Sequence, residues 1–342
     1  MSPPAPHVDT GTGPATVPSL FLEPASRTPG TERMPSNSHA RFAVLSILVA
    51  ALFSSGAARA AQPGFAFLDI PAGARASAMG GAYSAVVRDA DAALWNPAAL
   101  EGVSRLQVSG SHAELQSQLH YDAVVLGGKA WGGGYAMSLR ALYSEAIEAR
   151  DDAGNLTGTF GAHDLEFGLS YGHRLGSGLA IGGSAQLVRE RLDNEAAQTF
   201  AFDLGATLEP SAFPGARLSL ALENAGPAAR YTIDGIEGAD VPLPAAITTG
   251  LSYAKLAGHG LTVRGAVEAR FIDGRTGLGA IGAELANAAG MAFRAGWRIN
   301  DASADLTLGA GYATRGLAFD YAFIPLDLSL GESHRFSISR QF

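Results

Sequence analysis

The sequence predicts an all-β fold: a transmembrane antiparallel β-barrel of about 14 strands, with an N-terminal hatch segment that plugs the lumen. Only 16% of the 342 residues are charged, whereas an ordinary soluble domain has about 25%. From Arg105 onward, apolar residues alternate with small or polar ones, which is the pattern of a strand with two different faces. The connections between these strands are alternately short and long, as they are in bacterial outer-membrane barrels.

The alternation defines the individual strands. In 199–208, for example, Phe200, Phe202 and Leu204 share one face and Asp203 lies on the other. The predicted strands are 105–112, 119–128, 135–143, 163–172, 178–189, 199–208, 216–224, 245–254, 261–271, 277–285, 290–298, 305–313, 316–324 and 333–342. The run 277–285 is the weakest because it is mostly Gly and Ala. Without a helical period between the strands, parallel βαβ units are excluded and every connection can be a hairpin.

The lengths of the connections predict the orientation of the barrel. The two longest connections, 144–163 and 225–244, fall on the same side by strand parity, whereas 131–134 on the other side is a short turn. Outer-membrane barrels have short periplasmic turns and longer external loops, so the two long connections are expected outside the cell. A soluble all-β domain is the alternative. The low charge favours the membrane barrel, because lipid-facing positions exclude charge.

Residues 1–60 are predicted to be an N-terminal extension and a signal peptide. Their only long apolar run is 42–53, which is too short to cross a bilayer, since a spanning helix needs about 20 residues. The sequence Ala58-Arg59-Ala60 follows, and small residues in this spacing predict cleavage after Ala60. A buried apolar helix is the alternative. Translation starts at Met1 or at Met34.

The C-terminal strand predicts the final location. Phe336, Ile338 and Phe342 share one face of this strand, and the chain ends at Phe342. A final aromatic residue resembles the signal that the outer-membrane assembly machinery recognises. The protein is therefore expected in the outer membrane of a Gram-negative cell envelope, in contact with membrane lipid. The net charge of −8 argues against a nucleic-acid partner, which requires a basic surface.

The segment 61–104 precedes the barrel, which is predicted to occupy 105–342. It is rich in Ala and Gly and has no alternation. Short helices are expected near 74–79 and 91–94, interrupted by Gly80-Gly81 and Pro97. Because an exported segment of this composition needs shelter from water, it is predicted to fill the lumen as a hatch.

The hatch also carries recognisable motifs. The stretch 72–82 contains Met79-Gly80-Gly81 and is followed by Asp89-Ala90-Asp91 and Trp95-Asn96-Pro97-Ala98. This pattern resembles the N-terminal signature of the PorV/PorQ family, which is similar to the FadL-type long-chain fatty acid transporters of outer membranes. The resemblance extends over 65–342 and implies a hatch whose gate or packing residues are Met79, Gly80, Gly81, Asp89, Asp91, Trp95, Asn96, Pro97 and Ala98.

The inward faces of the strands carry few charges, and these are of both signs. They include Arg140, Glu166, Asp203, Arg264, Glu268, Arg270 and Arg294. An ion-selective pore has a lining of a single sign. Mixed charges instead predict ion pairs within the wall or between the wall and the hatch.

The sequence contains no catalytic arrangement, so an enzyme is not expected, nor is a metal or cofactor. His112 follows Ser111, but neighbours on a strand point to opposite faces and do not pair. Two functions remain. The first is binding or transport of a hydrophobic small molecule across the outer membrane. The alternative is an accessory protein of a secretion or surface-assembly system of the type IX kind, which would bind secreted proteins.

Overall fold

Fourteen antiparallel strands form a closed barrel in the computed structural model, which describes residues 63–193, 195–233, 236–327 and 331–342. In chain order the strands are β1 (Gln107–Glu114), β2 (Leu119–Ala130), β3 (Gly133–Ser144), β4 (Ile147–Arg150), β5 (Leu156–Phe160), β6 (Ala162–Gly176), β7 (Leu179–Leu192), β8 (Glu195–Leu208), β9 (Ala216–Ala225), β10 (Ala229–Ile233), β11 (Ile236–Val241), β12 (Ala246–Leu256), β13 (Thr262–Ile272), β14 (Leu278–Ala286), β15 (Met291–Ile299), β16 (Leu306–Thr314), β17 (Leu317–Pro325) and β18 (Glu332–Gln341). All except β4, β5, β10 and β11 belong to the barrel, which β1 closes by pairing with β18.

The predicted barrel is confirmed, because each predicted strand corresponds to one barrel strand. On β8, the outward side chains of Phe200, Phe202 and Leu204 are 50–63% exposed, while Ala201 and Asp203 are buried inside. This arrangement presents an apolar surface to the surroundings and small or polar residues to the lumen, as in membrane barrels. Several boundaries differ by two to four residues: Gly133 and Gly134, predicted in a turn, begin β3, and β8 begins at Glu195 rather than at 199.

Two additional hairpins project from the barrel and were not predicted. The strands β4 and β5 pair within the connection from β3 to β6, and β10 and β11 pair within the connection from β9 to β12. The strands β4, β5 and β11 are short and largely exposed, so they lack the buried face that makes alternation visible in a sequence. Strand β10 buries Ala229 in an apolar cluster with Phe65 and Phe67, but it has only five residues, too few for a periodic signal. Both hairpins extend the same end of the barrel, called here the long-loop end.

The described part of the hatch, residues 63–104, lies inside the lumen. It forms a 3₁₀ helix at Ala66–Asp69, the helix α1 (Ala74–Ala78), and 3₁₀ helices at Ala90–Leu94 and Pro97–Gly102. Two of these correspond to the short helices expected near 74–79 and 91–94. Within the described residues, no helix is long and apolar enough to cross a membrane. The predicted signal peptide and both candidate start residues lie outside the described residues.

The hatch runs from the long-loop end of the lumen to the opposite, short-turn end. At its beginning, the backbone N–H of Gly64 donates to the carbonyl oxygen of Pro242, just after β11 (3.1 Å). At its end, Glu101 accepts two hydrogen bonds of 2.8 Å from Arg174, close to the short-turn end of β6. The hatch therefore passes through the whole height of the barrel before β1 begins.

Candidate functional site

A row of glycines receives the last part of the hatch. The row consists of Gly134 on β3, Gly172 on β6, Gly182 on β7 and Gly205 on β8, each the pairing partner of the next. A methyl group on Gly182 would overlap the carbonyl carbon of Pro97 and lie 2.5 Å from the nitrogen of Ala98. Backbone therefore packs directly on backbone here, which only glycine permits. We call these four residues the glycine row.

Asn96 connects this part of the hatch to the wall. Its side-chain oxygen accepts the N–H of Ala98 (3.1 Å), which caps the following 3₁₀ helix. Its side-chain nitrogen donates to the carbonyl oxygens of Ala206 on β8 (3.2 Å) and Leu220 on β9 (3.3 Å). Asn96 is completely buried, so replacing it would leave several buried polar groups without partners.

The Met79-Gly80-Gly81 motif docks on β14 and β15. A Cβ atom on Gly282 of β14 would lie 2.7 Å from the carbonyl oxygen of Met79, and Gly282 pairs with Gly296 on β15. Gly80 has φ of +70°, and a Cβ atom on it would lie 3.1 Å from the backbone nitrogen of Trp297. Glycine at position 80 is thus required both by its conformation and by the close approach to the wall.

Glu284 on β14 forms ion pairs that connect the hatch to the barrel wall. Its carboxylate accepts hydrogen bonds from Arg75 of α1 (2.8 and 2.9 Å) and from Arg294 of β15 (2.7 Å). Arg264 lies 3.8 Å away, and Arg294 also contacts Asp320 at 2.7 Å. Glu284 is only 3% exposed. The negative charge of this buried carboxylate compensates the positive charges of several buried guanidinium groups.

The remaining predicted lumen residues also have partners. Glu166 accepts a hydrogen bond of 2.6 Å from Arg140, whose side chain also reaches the carbonyl oxygen of Leu68 in the hatch. The other pairs are Asp203 with the N–H of Asn224 (2.8 Å), Glu268 with the N–H of Ser84 (2.8 Å), and Arg270 with Asp69 (2.9 Å) and Glu223 (3.0 Å). These residues connect wall to wall and wall to hatch, as the mixture of charges indicates.

Asp89, Asp91 and Trp95 complete the predicted hatch residues. The carboxylate of Asp89 accepts the N–H of Asp91 (3.2 Å), and Ser109 of β1 donates to the carboxylate of Asp91. The indole N–H of Trp95 donates to the carbonyl oxygen of Ala72 (3.2 Å), and its ring meets Tyr83 edge-on at 5.4 Å. These contacts organise the hatch internally.

The spaces described inside the barrel are small, and charged side chains lie on their borders. One of about 120 Å³ lies beside Trp95 and is bordered by charged side chains that include Glu223, Arg270 and Arg298. Two others measure about 30 and 20 Å³. An apolar cavity of about 150 Å³ can hold a single benzene ring. The charged border makes the first of these spaces suitable for water rather than for an apolar molecule.

A much larger space lies on the outer face of the barrel, across β1, β2 and β16–β18. It measures about 720 Å³ and is called here the wall groove. Its apolar surface is formed by Val124, Tyr312, Phe319, Phe336 and Ile338, which are 46–50% exposed. The depression exists because two positions in it, Gly110 and Ala310, carry almost no side chain. Sequence reasoning missed it, since these two residues lie on strands far apart in the chain.

Only one layer of small side chains separates the wall groove from the lumen. The groove shares Asp320, Ser337 and Ile338 with the interior space of about 30 Å³. Ser337 pairs with Ser111 across the strands, and its hydroxyl accepts the N–H of Ala74 (2.7 Å) at the start of α1. The hatch therefore lies directly behind this part of the wall.

Polar side chains border the wall groove toward the long-loop end. A ring nitrogen of His112, Nδ1, lies 2.7 Å from one carboxylate oxygen of Asp122, and Tyr143 donates to the other (3.0 Å). Tyr321 and His334 form a second pair at 2.8 Å. As expected for neighbours on a strand, His112 faces the groove while Ser111 faces the lumen, so the two do not pair.

The fold and its interior define the class of protein: a fourteen-stranded outer-membrane-type β-barrel, plugged by its own N-terminal segment. Residues 45–193 match the model described as "Uncharacterised protein family (UPF0164)". No curated protein matches the chain significantly. The PorV/PorQ resemblance remains a prediction from the sequence motifs.

Several solved barrels share this fold at low sequence identity. The Ralstonia pickettii toluene transporter TbuX aligns with a TM-score of 0.54 and 14% identity, over 79% of this chain and 98% of TbuX. CymD, a monoaromatic hydrocarbon channel, aligns at 0.53 and 15% identity, over 79% of this chain and 97% of CymD. The deltaS2S3 mutant of TodX, also a monoaromatic hydrocarbon channel, aligns with a TM-score of 0.52 and 14% identity, over 79% of this chain and 99% of that protein. At these identities the comparison establishes the fold alone.

Proposed function

We propose that this chain is an outer-membrane protein that binds hydrophobic small molecules in the wall groove, on the membrane-facing side of the barrel. The observation that carries this proposal is the apolar groove of about 720 Å³ with a single layer of small residues behind it. A site that binds an apolar molecule needs a concave and mainly apolar surface of several hundred Å³. The groove is apolar and of this size, and it is wide open toward the membrane, whereas the spaces in the lumen are small and bordered by charged side chains.

The docking of the hatch favours a binding site on the outer face of the barrel rather than in the lumen. Asn96-Pro97-Ala98 fits into the glycine row, and Met79-Gly80 fits against Gly282 and Gly296. Backbone that is packed on both sides of the lumen cannot move without breaking many contacts at once. We therefore assign the hatch motifs to anchoring, and place the ligand outside the anchored segment.

The similar solved barrels support the same class of ligand. TbuX is a toluene transporter and CymD is a monoaromatic hydrocarbon channel. The aromatic side chains of Phe319 and Phe336 give the groove surfaces on which a ring can stack. Export through a cleaved signal peptide and insertion guided by Phe342 complete the proposal for the route to the outer membrane.

Filling the groove with a larger side chain is expected to weaken the binding of an apolar molecule. Gly110 is the fourth residue of β1, its φ is not positive, and a Cβ atom on it would have no atom within 4 Å. Gly110→Leu therefore fits without backbone strain and occupies the groove. Loss of roughly 60 Å² of apolar contact costs about 1.5 kcal/mol, or about tenfold in affinity. We expect photolabelling of β17, β18 and β1 by benzophenone, read by peptide mass spectrometry, to fall by this factor.

A matched control is available on the other side of the barrel. Gly265 is the fourth residue of β13, faces outward and also has open space around its Cβ position. Gly265→Leu should leave labelling of the groove unchanged. Equal labelling of the groove peptides in both variants, or uniform labelling of all lipid-facing strands in the unmodified protein, would contradict the proposed site.

A further inference from the structure

The polar border of the wall groove contains a histidine, His112, whose ring orientation is set by neighbouring side chains. His112, Asp122 and Tyr143, called here the polar triad, face outward on β1, β2 and β3. Both carboxylate oxygens of Asp122 are occupied, one by Nδ1 of His112 (2.7 Å) and one by the hydroxyl of Tyr143 (3.0 Å). The ring of His112 also stacks on His120 at 5.9 Å. These contacts fix the orientation of the imidazole beside the groove.

The position of the polar triad along the strands can be compared with that of the next row of outward side chains. His112 pairs in register with Asp122 and with Phe336, which belongs to the groove surface. The next outward row toward the long-loop end contains Glu114, His120 and His334. Two residues along a strand tilted by about 40° correspond to about 5 Å in depth. The triad thus lies one row closer to the middle of the barrel wall than this polar row, at the same height as Phe336 of the groove.

The chemistry of His112 identifies the group that it can bind. When Nδ1–H donates to a carboxylate, the other ring nitrogen, Nε2, carries a lone pair and accepts a hydrogen bond. His112 borders the groove, so this lone pair is available to a molecule lying there. A neutral hydroxyl group is the complementary donor. An anionic headgroup is disfavoured, because Glu114, Asp122, Glu145 and Glu332 surround this border with negative charge.

We propose that the wall groove selects amphipathic molecules with an apolar, ring-sized body and a neutral hydroxyl group, which donates a hydrogen bond to His112. This inference rests on the proposed function and names its ligand class. The body lies over Val124, Phe336 and Ile338, while the hydroxyl group is directed toward the long-loop end. Asp122 and Tyr143 are positioning residues that set the ring orientation and the tautomer of His112.

Three photoprobes of one scaffold test this selection: benzophenone, 4-hydroxybenzophenone and 4-benzoylbenzoic acid. The protein is placed in phosphatidylcholine nanodiscs, and labelling of the groove peptides is divided by labelling of β13 to correct for partitioning into lipid. A neutral hydrogen bond is worth a factor of roughly three to ten. We therefore expect half-maximal labelling by 4-hydroxybenzophenone at a concentration roughly three- to tenfold below that of benzophenone.

Substitutions of two histidines test whether His112 causes the preference for the hydroxyl-bearing probe. His112→Phe should abolish the hydroxyl preference, measured as the ratio of the half-maximal concentrations of the two probes, whereas His173→Phe, at an outward histidine near the short-turn end of β6, should retain it. If His112→Phe does not fold, Asp122→Asn decides, because the amide no longer fixes the tautomer and should reduce the preference. Equal labelling by the first two probes, a preference that persists in the folded variants, or strongest labelling by the acid would overturn the inference. Absence of groove labelling by benzophenone would instead overturn the proposed function.

Discussion

Replacing Gly182 by alanine is expected to release the hatch from the wall and to destabilise the barrel by about 3 kcal/mol. The added methyl group would overlap Pro97 and lie 2.5 Å from the nitrogen of Ala98. These are backbone atoms of a completely buried segment, so no side-chain rotation can relieve the overlap. The hatch must shift, and its hydrogen bonds from Asn96 to β8 and β9 are lost with it.

The adjacent residue supplies the control. Gly183 faces outward, and a methyl group there would have only ordinary contacts, the nearest at 3.4 Å to the carbonyl oxygen of Asp203. Gly183→Ala should therefore be neutral, or slightly stabilising because alanine restricts the unfolded chain. The temperature at which the folded barrel loses its heat-modifiable mobility measures stability, and protease cleavage within 63–104 measures release of the hatch. Equal stability of the two variants would contradict the docking described here.

Glu284→Gln is the second substitution with a large expected effect. It keeps the shape of the side chain and removes the charge that compensates Arg75 and Arg294, both within 2.9 Å. Removing one partner from a buried ion pair costs about 3–5 kcal/mol. Because Arg75 belongs to α1, the loss should also loosen the hatch, so the midpoint of urea unfolding should decrease together with protection from protease.

An exposed carboxylate provides the comparison for this effect. Glu148 contacts Arg150 at 2.6 Å in the β4–β5 hairpin, where both side chains are more than half exposed. Solvent-exposed ion pairs contribute at most about 1 kcal/mol, so Glu148→Gln should leave the unfolding midpoint nearly unchanged. A Glu284→Gln protein as stable as the Glu148→Gln protein would show that the charge network does not hold the hatch.

Much of the barrel could be predicted because its physical requirement repeats at every second residue. Each strand must present apolar side chains to its surroundings and small or polar ones to the lumen, and β8 shows this with Phe202 outside and Asp203 inside. Even β14, rich in Gly and Ala, keeps enough of the pattern to be found. The strands β4, β5 and β11 have no such buried face, and β10, which buries Ala229, has only five residues, so neither hairpin leaves a periodic signal.

The candidate sites depend on neighbours that the sequence does not bring together. Gly134, Gly172, Gly182 and Gly205 form one row only after four strands have paired in a particular register. In the sequence, Gly134 is simply part of a turn-like run. The wall groove likewise depends on the absence of side chains at Gly110 and Ala310, which lie on β1 and β16. Asn96 was predicted to be a gate or packing residue of the hatch, but its contacts with Ala206 and Leu220 could be seen only in the folded barrel.

The most direct measurement of the central claim is the identification of what remains bound to the barrel after extraction from membranes in a mild detergent. Mass spectrometry of the purified unmodified protein should detect a hydrophobic small molecule that carries a hydroxyl group. This molecule should be strongly depleted in Gly110→Leu and retained in Gly265→Leu. A barrel that holds no small molecule in any of the three proteins, and instead co-purifies in fixed ratio with large exported proteins, would contradict the account and favour the accessory role in secretion.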